Sequence, residues 1–466
     1  MSIRQKYFAG KAFYRRILAV MLPIMVQNAI TNFVGLLDNI MVGRLGTLEM
    51  SGVAIINTLV SIYNGCIFGA VSGVGIFTVE YHGTGNEEGI RNSVRFKILF
   101  AAVLVALTEL VFLTCGDFLI SLYLEGEGSP ADAVQILAYG KQYLEIVMIG
   151  LVPYAFTQCF YSTLRECGRA VPPMVTGLIA MSVKVILNIL LIFGNLGFPR
   201  LGVAGAAIAV VISRFVELAV IALWTKFHLR ELPFMQGVFR SLKVPGALQL
   251  EMIRRAAPLM VNEALWTGGV AFMAQAYTTR ELTAVAAVSI SSTFYNLLSV
   301  TFIAAGIAIG ILIGRLLGTR DFERAKEEAR KMIVFTALIG AAVAVVFVGV
   351  AFLAPELYNV TPEVRRTARD MLLITALFLP VNSALICAYY VVRSGGKTVL
   401  TTFLDSGLMW LFQCVPAYLL SRFTGIRVIP LYFWVQFGMV LKLAVNLYFV
   451  RRGDWVHSLV EEEPGG

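Results

Sequence analysis

Asp38 stands in FVGLLDNIMVGRLG and is the only ionisable side chain between Arg16 and Arg44. A carboxylate in surroundings that apolar costs several kcal/mol to keep ionised, so it needs a partner, an aqueous cavity or a reversible ligand. The ligand such a group takes is a proton or a small cation. Hydrogen bonding to neighbours is the purely structural alternative. Glu263, in PLMVNEALWTGG beside Asn262, poses the same question. Lys184, in MSVKVILNILLIFG, lies too far from either end of its apolar stretch to reach water easily, so it calls for a carboxylate, and Asp38 is a candidate. Arg214 and Glu217 are three residues apart and can pair on one helical face. Lys141 and Glu145 have pairing spacing too. Asp405 is either a group bonded to backbone or hydroxyls or a functional one, and Lys442, near the end of its stretch, is expected to snorkel.

No Ser/His/Asp set, metal-ligand spacing or nucleotide loop occurs, so the sequence is not read as an enzyme and no metal or cofactor is expected. The glycine-rich runs GAVSGVG and AAGIAIGILIG lack a Walker lysine and are read as close-packing helix surfaces. His82, His228 and His457 fall in expected loops or the tail, which leaves no histidine relay.

The elements that must position these groups are membrane helices. Of 466 residues, 58% are hydrophobic and 14% charged, against about a quarter charged in soluble proteins. Apolar stretches of spanning length recur at roughly 17–43, 50–80, 94–116, 134–162, 171–193, 202–224, 252–277, 284–314, 331–353, 366–393, 398–421 and 427–449. The expected fold is an all-α polytopic membrane protein of twelve transmembrane helices. The first stretch is too long for a signal-peptide core and has no small-residue cleavage site, so it is expected to be retained and to span. The six cysteines are scattered singly and are read as small core residues.

The net charge of +9 reports orientation rather than a nucleic-acid partner, because most of the 38 Lys and Arg collect in alternate short connections. Both termini are then cytoplasmic. The acidic loop GDFLISLYLEGEGSPAD falls on the outer side, and Arg365, Arg366 and Arg369 are a local exception.

A shift of 235 residues lays PIMVQNA (Pro23–Ala29) on PLMVNEA (Pro258–Ala264), and the register persists from Val53 on Val288 to Phe100 on Phe335. Glu263 thereby takes the repeat position of Asn28. A shift of 228 lays YSTLRECG on YYVVRSGG. The chain is therefore expected to hold two pseudo-symmetric six-helix bundles, 1–235 and 236–466, in parallel orientation, with a substrate pathway between them.

With these motifs, the chain resembles the multidrug and toxic compound extrusion (MATE) family over nearly its whole length. Pro23, Gln27 and Asp38 followed by MVGRLG and VAI look like the family's first-helix pattern. LRECGRAVPPM, LLIFGNLGFPRLGVAGAAIA and YYVVRSGGKT match its other landmarks. The resemblance implies a secondary active antiporter that exports organic, cationic or amphipathic compounds across the inner membrane in exchange for H⁺ or Na⁺. It makes Asp38 the coupling carboxylate of the first helix and Glu263 the seventh-helix glutamate of the NorM-like branch. Gln27, Asn28, Asn188, Arg214, Asn262, Asn382 and Asp405 are candidates for the pathway or for support of coupling.

Departures from the family pattern favour H⁺ over Na⁺. Lys184 and Asn188 stand where many members place an Asn and an Asp, Val210 replaces a Thr, and Asn382 stands in place of a NorM-like carboxylate. The alternative is a lipid-linked oligosaccharide flippase of the same superfamily, whose phosphates Lys184 and Arg214 could meet. Expected partners are a small-molecule substrate and the bilayer, with the chain acting as a monomer and no nucleic acid bound.

Overall fold

A computed structural model describes residues 8–123, 130–279, 282–358 and 360–460. The basic start of the chain and part of the acidic loop lie outside these residues. The described chain is helical, with no strand. In order come α1 (Lys11–Gly43), α2 (Thr47–Thr84), α3 (Glu87–Ser121), α4 (Pro130–Val147), α5 (Leu151–Glu166), α6 (Val171–Phe193) and α7 (Val203–Phe227). Then follow α8 (Gly246–Thr278), α9 (Leu282–Gly318), α10 (Phe322–Leu353), α11 (Pro362–Ser394), α12 (Thr398–Thr402), α13 (Val415–Phe423) and α14 (Val428–Arg452). A 3₁₀ turn at Met148–Gly150 joins α4 to α5. Two π-helical segments, Phe403–Gly407 and Trp410–Cys414, carry the chain from α12 to α13.

Helices dominate because a backbone in hydrocarbon must satisfy its own hydrogen bonds. Eleven helical stretches among the described residues are long and apolar enough to cross a membrane. The expected seventh span, α8, is 33 residues long but is not one of the eleven. It carries Glu251, Arg254, Arg255, Asn262 and Glu263, which lower its apolarity. Leu113, Val345 and Phe423 stand exposed, as lipid-facing side chains do.

Sequence chemistry sets the helix ends. Gly194 takes a left-handed φ of 73° after α6 and returns its N–H to the Leu190 carbonyl. Gly453 closes α14 in the same way, with φ 80°. Thr361 caps α11 by accepting from the Val364 N–H at 3.4 Å, and Pro362 fills the first helical position, where no N–H is needed.

By packing, the chain forms two compact units. One takes the described part of Met1–Met25 with Val79–Asn86 and Arg254–Gly466; the other takes Val26–Thr78 and Glu87–Ile253. The boundary inside α1 falls two residues after Pro23, where the ring removes the hydrogen bond to the Ala19 carbonyl. Pro258 lies inside α8 at the repeat position.

In the first unit Ile17, Ile313, Leu317, Met332, Leu404 and Trp455 form a continuous core. The tail after α14 returns to this unit, where the Ser458 hydroxyl and Leu459 N–H donate to the fully buried Glu80 carboxylate at 3.0 and 2.7 Å. Burial and the Lys397 and Arg255 cations push the His457 imidazole in this tail below its ordinary range. In the second unit α6 and α7 meet at Gly205, where a Cβ would stand 2.5 Å from the Leu191 carbonyl oxygen. Cys159, Cys167, Cys387 and Cys414 are buried as expected, whereas Cys66 is half-buried and Cys115 exposed.

Candidate functional site

The expected Asp38–Lys184 pair forms in the second unit. Lys184 Nζ on α6 donates to Asp38 Oδ2, and Asn188 Nδ2 donates to Oδ1 at 2.6 Å. Lys184 and Asn188 are four residues apart, so one face of α6 presents both donors. The Lys184 and Asp38 side chains are 16% and 18% exposed. Asn188 is 2% exposed, and its Oδ1 has no partner among the described residues.

Deeper along α1 in the same unit, buried Gln27 accepts a hydrogen bond from the Arg165 guanidinium through Oε1. Gly177 on α6 leaves the room this amide needs, since a Cβ there would come within 3.1 Å of Gln27 Nε2. Asn28 is half-buried and Pro23 buried. Arg214 makes the expected pair with Glu217, donating at 3.4 Å while lying 4.3 Å over the Tyr154 ring. The Tyr161 hydroxyl donates to the other Glu217 oxygen at 2.8 Å. With both its oxygens engaged, Glu217 leaves Arg214 a neutralised cation.

In the first unit Glu263 is half-buried on α8, and its carboxylate has no hydrogen bond or ion pair among the described residues. The charges of Arg393 and Asp405 act on it. Neighbouring Asn262 turns elsewhere, donating to Asp405 Oδ2 at 3.0 Å and accepting from the Ser406 hydroxyl at 2.7 Å. Asn382 donates to the Tyr295 hydroxyl at 2.8 Å. Asp38 and Glu263 thus belong to separate compact units.

Two lysines take other partners than the sequence suggested, and a third was not singled out. Lys442, expected to snorkel, is 4% exposed and pairs with Asp405 Oδ1 at 3.4 Å. Lys141 pairs with Asp117 on α3 at 2.9 Å rather than with Glu145. Lys97 is 1% exposed, with its ammonium 2.5 Å from Glu166 and 2.9 Å from the Ser162 hydroxyl. The signal at Lys97 is a charge set a few residues inside an apolar stretch, which the loop-weighted reading of basic runs passed over.

The repeat is visible in side-chain geometry. Arg165 lies 5.6 Å over the Tyr161 ring and Arg393 lies 5.7 Å over the Tyr389 ring, the positions paired by the 228-residue shift.

Comparisons with known proteins agree with this architecture. The probable multidrug resistance protein NorM of Thermotoga maritima is 23% identical over 452 residues, covering 95% of this chain and 93% of its own. The multidrug resistance protein MdtK of Pectobacterium atrosepticum is 24% identical, with 94% of each chain covered. The crystal structure of the Vibrio cholerae MATE transporter VcmN in the bent form has the same fold, with a TM-score of 0.81 at 20% identity over 95% of this chain and 97% of that one. The MatE family model matches residues 23–190 and again 258–419. The two matches begin 235 residues apart, the offset of the internal repeat. Two matches to one family, spaced as the repeat is spaced and covering most of the chain, make this protein a member of the MatE family, the multidrug and toxic compound extrusion transporters.

Proposed function

We propose that the protein is a secondary active antiporter that exports organic, cationic or amphipathic compounds across the plasma membrane in exchange for inward H⁺. Both termini are cytoplasmic in this reading, as the distribution of basic residues between alternate connections requires. Support comes from the Asp38 triad. A carboxylate that binds either a proton or a cationic ligand, but not both, couples their opposite movements.

Asn188 suits both states of that carboxylate. Its NH₂ serves the ionised form, and its unpartnered Oδ1 is free to accept from a carboxylic acid after the amide rotates. Lys184 already supplies the positive charge that a bound metal ion would supply, and it repels a second cation. The site is electrically complete without Na⁺. Protonation of Asp38 releases Lys184 and removes a charge from α1, whose hydrogen-bond ladder Pro23 already weakens.

The test is efflux of a fluorescent organic cation from vesicles holding the purified protein, under an imposed H⁺ gradient or an imposed Na⁺ gradient at fixed pH. Efflux driven by H⁺ alone supports the reading. Efflux driven by Na⁺ alone, or by neither gradient, overturns it.

A further inference from the structure

Asp405 is held much as Asp38 is, by one lysine and one asparagine amide. Lys442 Nζ on α14 lies 3.4 Å from Oδ1, and Asn262 Nδ2 on α8 donates to Oδ2 at 3.0 Å. The internal repeat does not account for the likeness. At the 235-residue shift Asp38 falls on Met273, and at the 228-residue shift Lys184 and Asn188 fall on Phe412 and Pro416. The same three groups have been assembled from different helices, once in each compact unit.

The backbone around Asp405 is irregular. Asp405 sits in the π-helical segment Phe403–Gly407, and single-turn π-helices frequently mark functional sites. The Asn446 amide reaches the Leu404 carbonyl at 3.4 Å. Pro416 has no N–H to return to the Phe412 carbonyl, and the absent side chain of Gly438 leaves room for that oxygen. The Asp405 side chain is 23% exposed, whereas Lys442 is 5% exposed. The carboxylate is therefore the more exposed member of the pair, and its counter-ion is closed in. The other ionisable groups around Asp405 are Glu263 on α8 and Arg393, Tyr389 and Tyr390 on α11.

We propose that Asp405, with Lys442 and Asn262, is a second proton-exchange site, independent of Asp38. A proton from water adds to the Asp405 carboxylate and gives the neutral acid. The Lys442 ammonium keeps its own proton and loses its counter-ion. Asn262 turns its carbonyl to the new O–H, and Ser406 transfers its hydrogen bond to the Asn262 backbone carbonyl, already 2.9 Å away. A buried ammonium without a partner is unstable, so protonation drives the π-helical segment or α14 to move. The role in transport rests on the antiport reading above; proton binding itself does not.

The test is labelling of the full-length protein in vesicles by dicyclohexylcarbodiimide, which adds to protonated carboxyl groups in apolar surroundings. No substrate is present, and the Asp405 peptide is read by mass spectrometry. Labelling at Asp405 should rise several-fold on acidification and should vanish in Asp405→Asn. At neutral pH it should be several-fold higher in Lys442→Met, because removing the ammonium favours the neutral acid. It should persist in Asp38→Asn, which separates this site from the antiport reading. Lys442→Gln replaces Lys442→Met if the latter fails a thermal-unfolding check, and the acid-to-neutral comparison on the parent needs no variant. Absence of acid-dependent labelling, equal labelling with and without Lys442, or suppression by Na⁺ at fixed pH overturns the assignment.

Discussion

Lys184 on α6 donates to the Asp38 carboxylate on α1, and Asn188, one turn further along α6, holds the other oxygen at 2.6 Å. The contact joins two helices more than a hundred residues apart in sequence, and it leaves Asp38 18% exposed. An ion pair so placed can be undone by one proton.

Asp38→Asn keeps the shape of the side chain but can neither hold nor release that proton. Gradient-driven efflux should fall at least tenfold on the order-of-magnitude scale of a lost essential ionisable group. The amide still accepts from Lys184, so the loss of stability should be about 1–3 kcal/mol. Efflux and thermal unfolding of the same preparation separate the two effects. Full efflux removes Asp38 from the mechanism.

Glu263→Gln tests the other expected coupling carboxylate. No donor among the described residues holds this side chain, so the amide should change stability by less than about 1 kcal/mol. Efflux should drop several-fold. If both the rate and its pH profile match those of the parent, Glu263 has no part in coupling.

Lys97 supports the scaffold rather than the exchange. Its ammonium is fully buried against Glu166 and the Ser162 and Thr163 hydroxyls. Lys97→Met takes the ammonium from the Glu166 carboxylate, which keeps the Ser162 hydroxyl, and should cost about 3–5 kcal/mol. Adding Glu166→Gln removes the unbalanced charge and should restore part of that loss. Denaturation of both variants in detergent measures the difference, and equal stabilities would show that the buried pair contributes nothing.

The Asp38–Lys184 contact was legible in the sequence because each is the one charge of its kind in a long apolar stretch, and desolvation forces such charges to pair. Arg214 with Glu217 was legible because three residues on one helix fix proximity. Lys442 was misread because distance from a helix end says nothing of which face a side chain occupies, and its face turns to Asp405 rather than to the interface. Lys97 was missed because Arg91 and Arg95 before it make a basic run that looks like a connection, whereas α3 begins at Glu87 and carries Lys97 into the core. The π-helical segments flanking Met409 leave no periodic trace, since one added residue per turn is invisible to hydropathy. The expected seventh span shows the converse limit, for a helix looks less like a span the more polar groups it carries.

Lys184→Asn bears on the choice of coupling ion. In the parent, an ammonium against Asp38 makes the carboxylate unattractive to Na⁺, because two unit charges at contact distance repel by about 4 kcal/mol at an effective dielectric of 20. Removing the lysine removes that repulsion and leaves an anionic pocket bounded by Asp38, Asn188 and the new Asn, all oxygen-bearing groups suited to a hard cation. The variant should therefore keep proton-driven efflux and should acquire a partial response to Na⁺. Efflux under an imposed Na⁺ gradient at fixed pH, measured for parent and variant together, decides the matter. Strong Na⁺-driven efflux by the parent means that Lys184 does not exclude the metal; a silent parent beside a responsive variant assigns that exclusion to one ammonium.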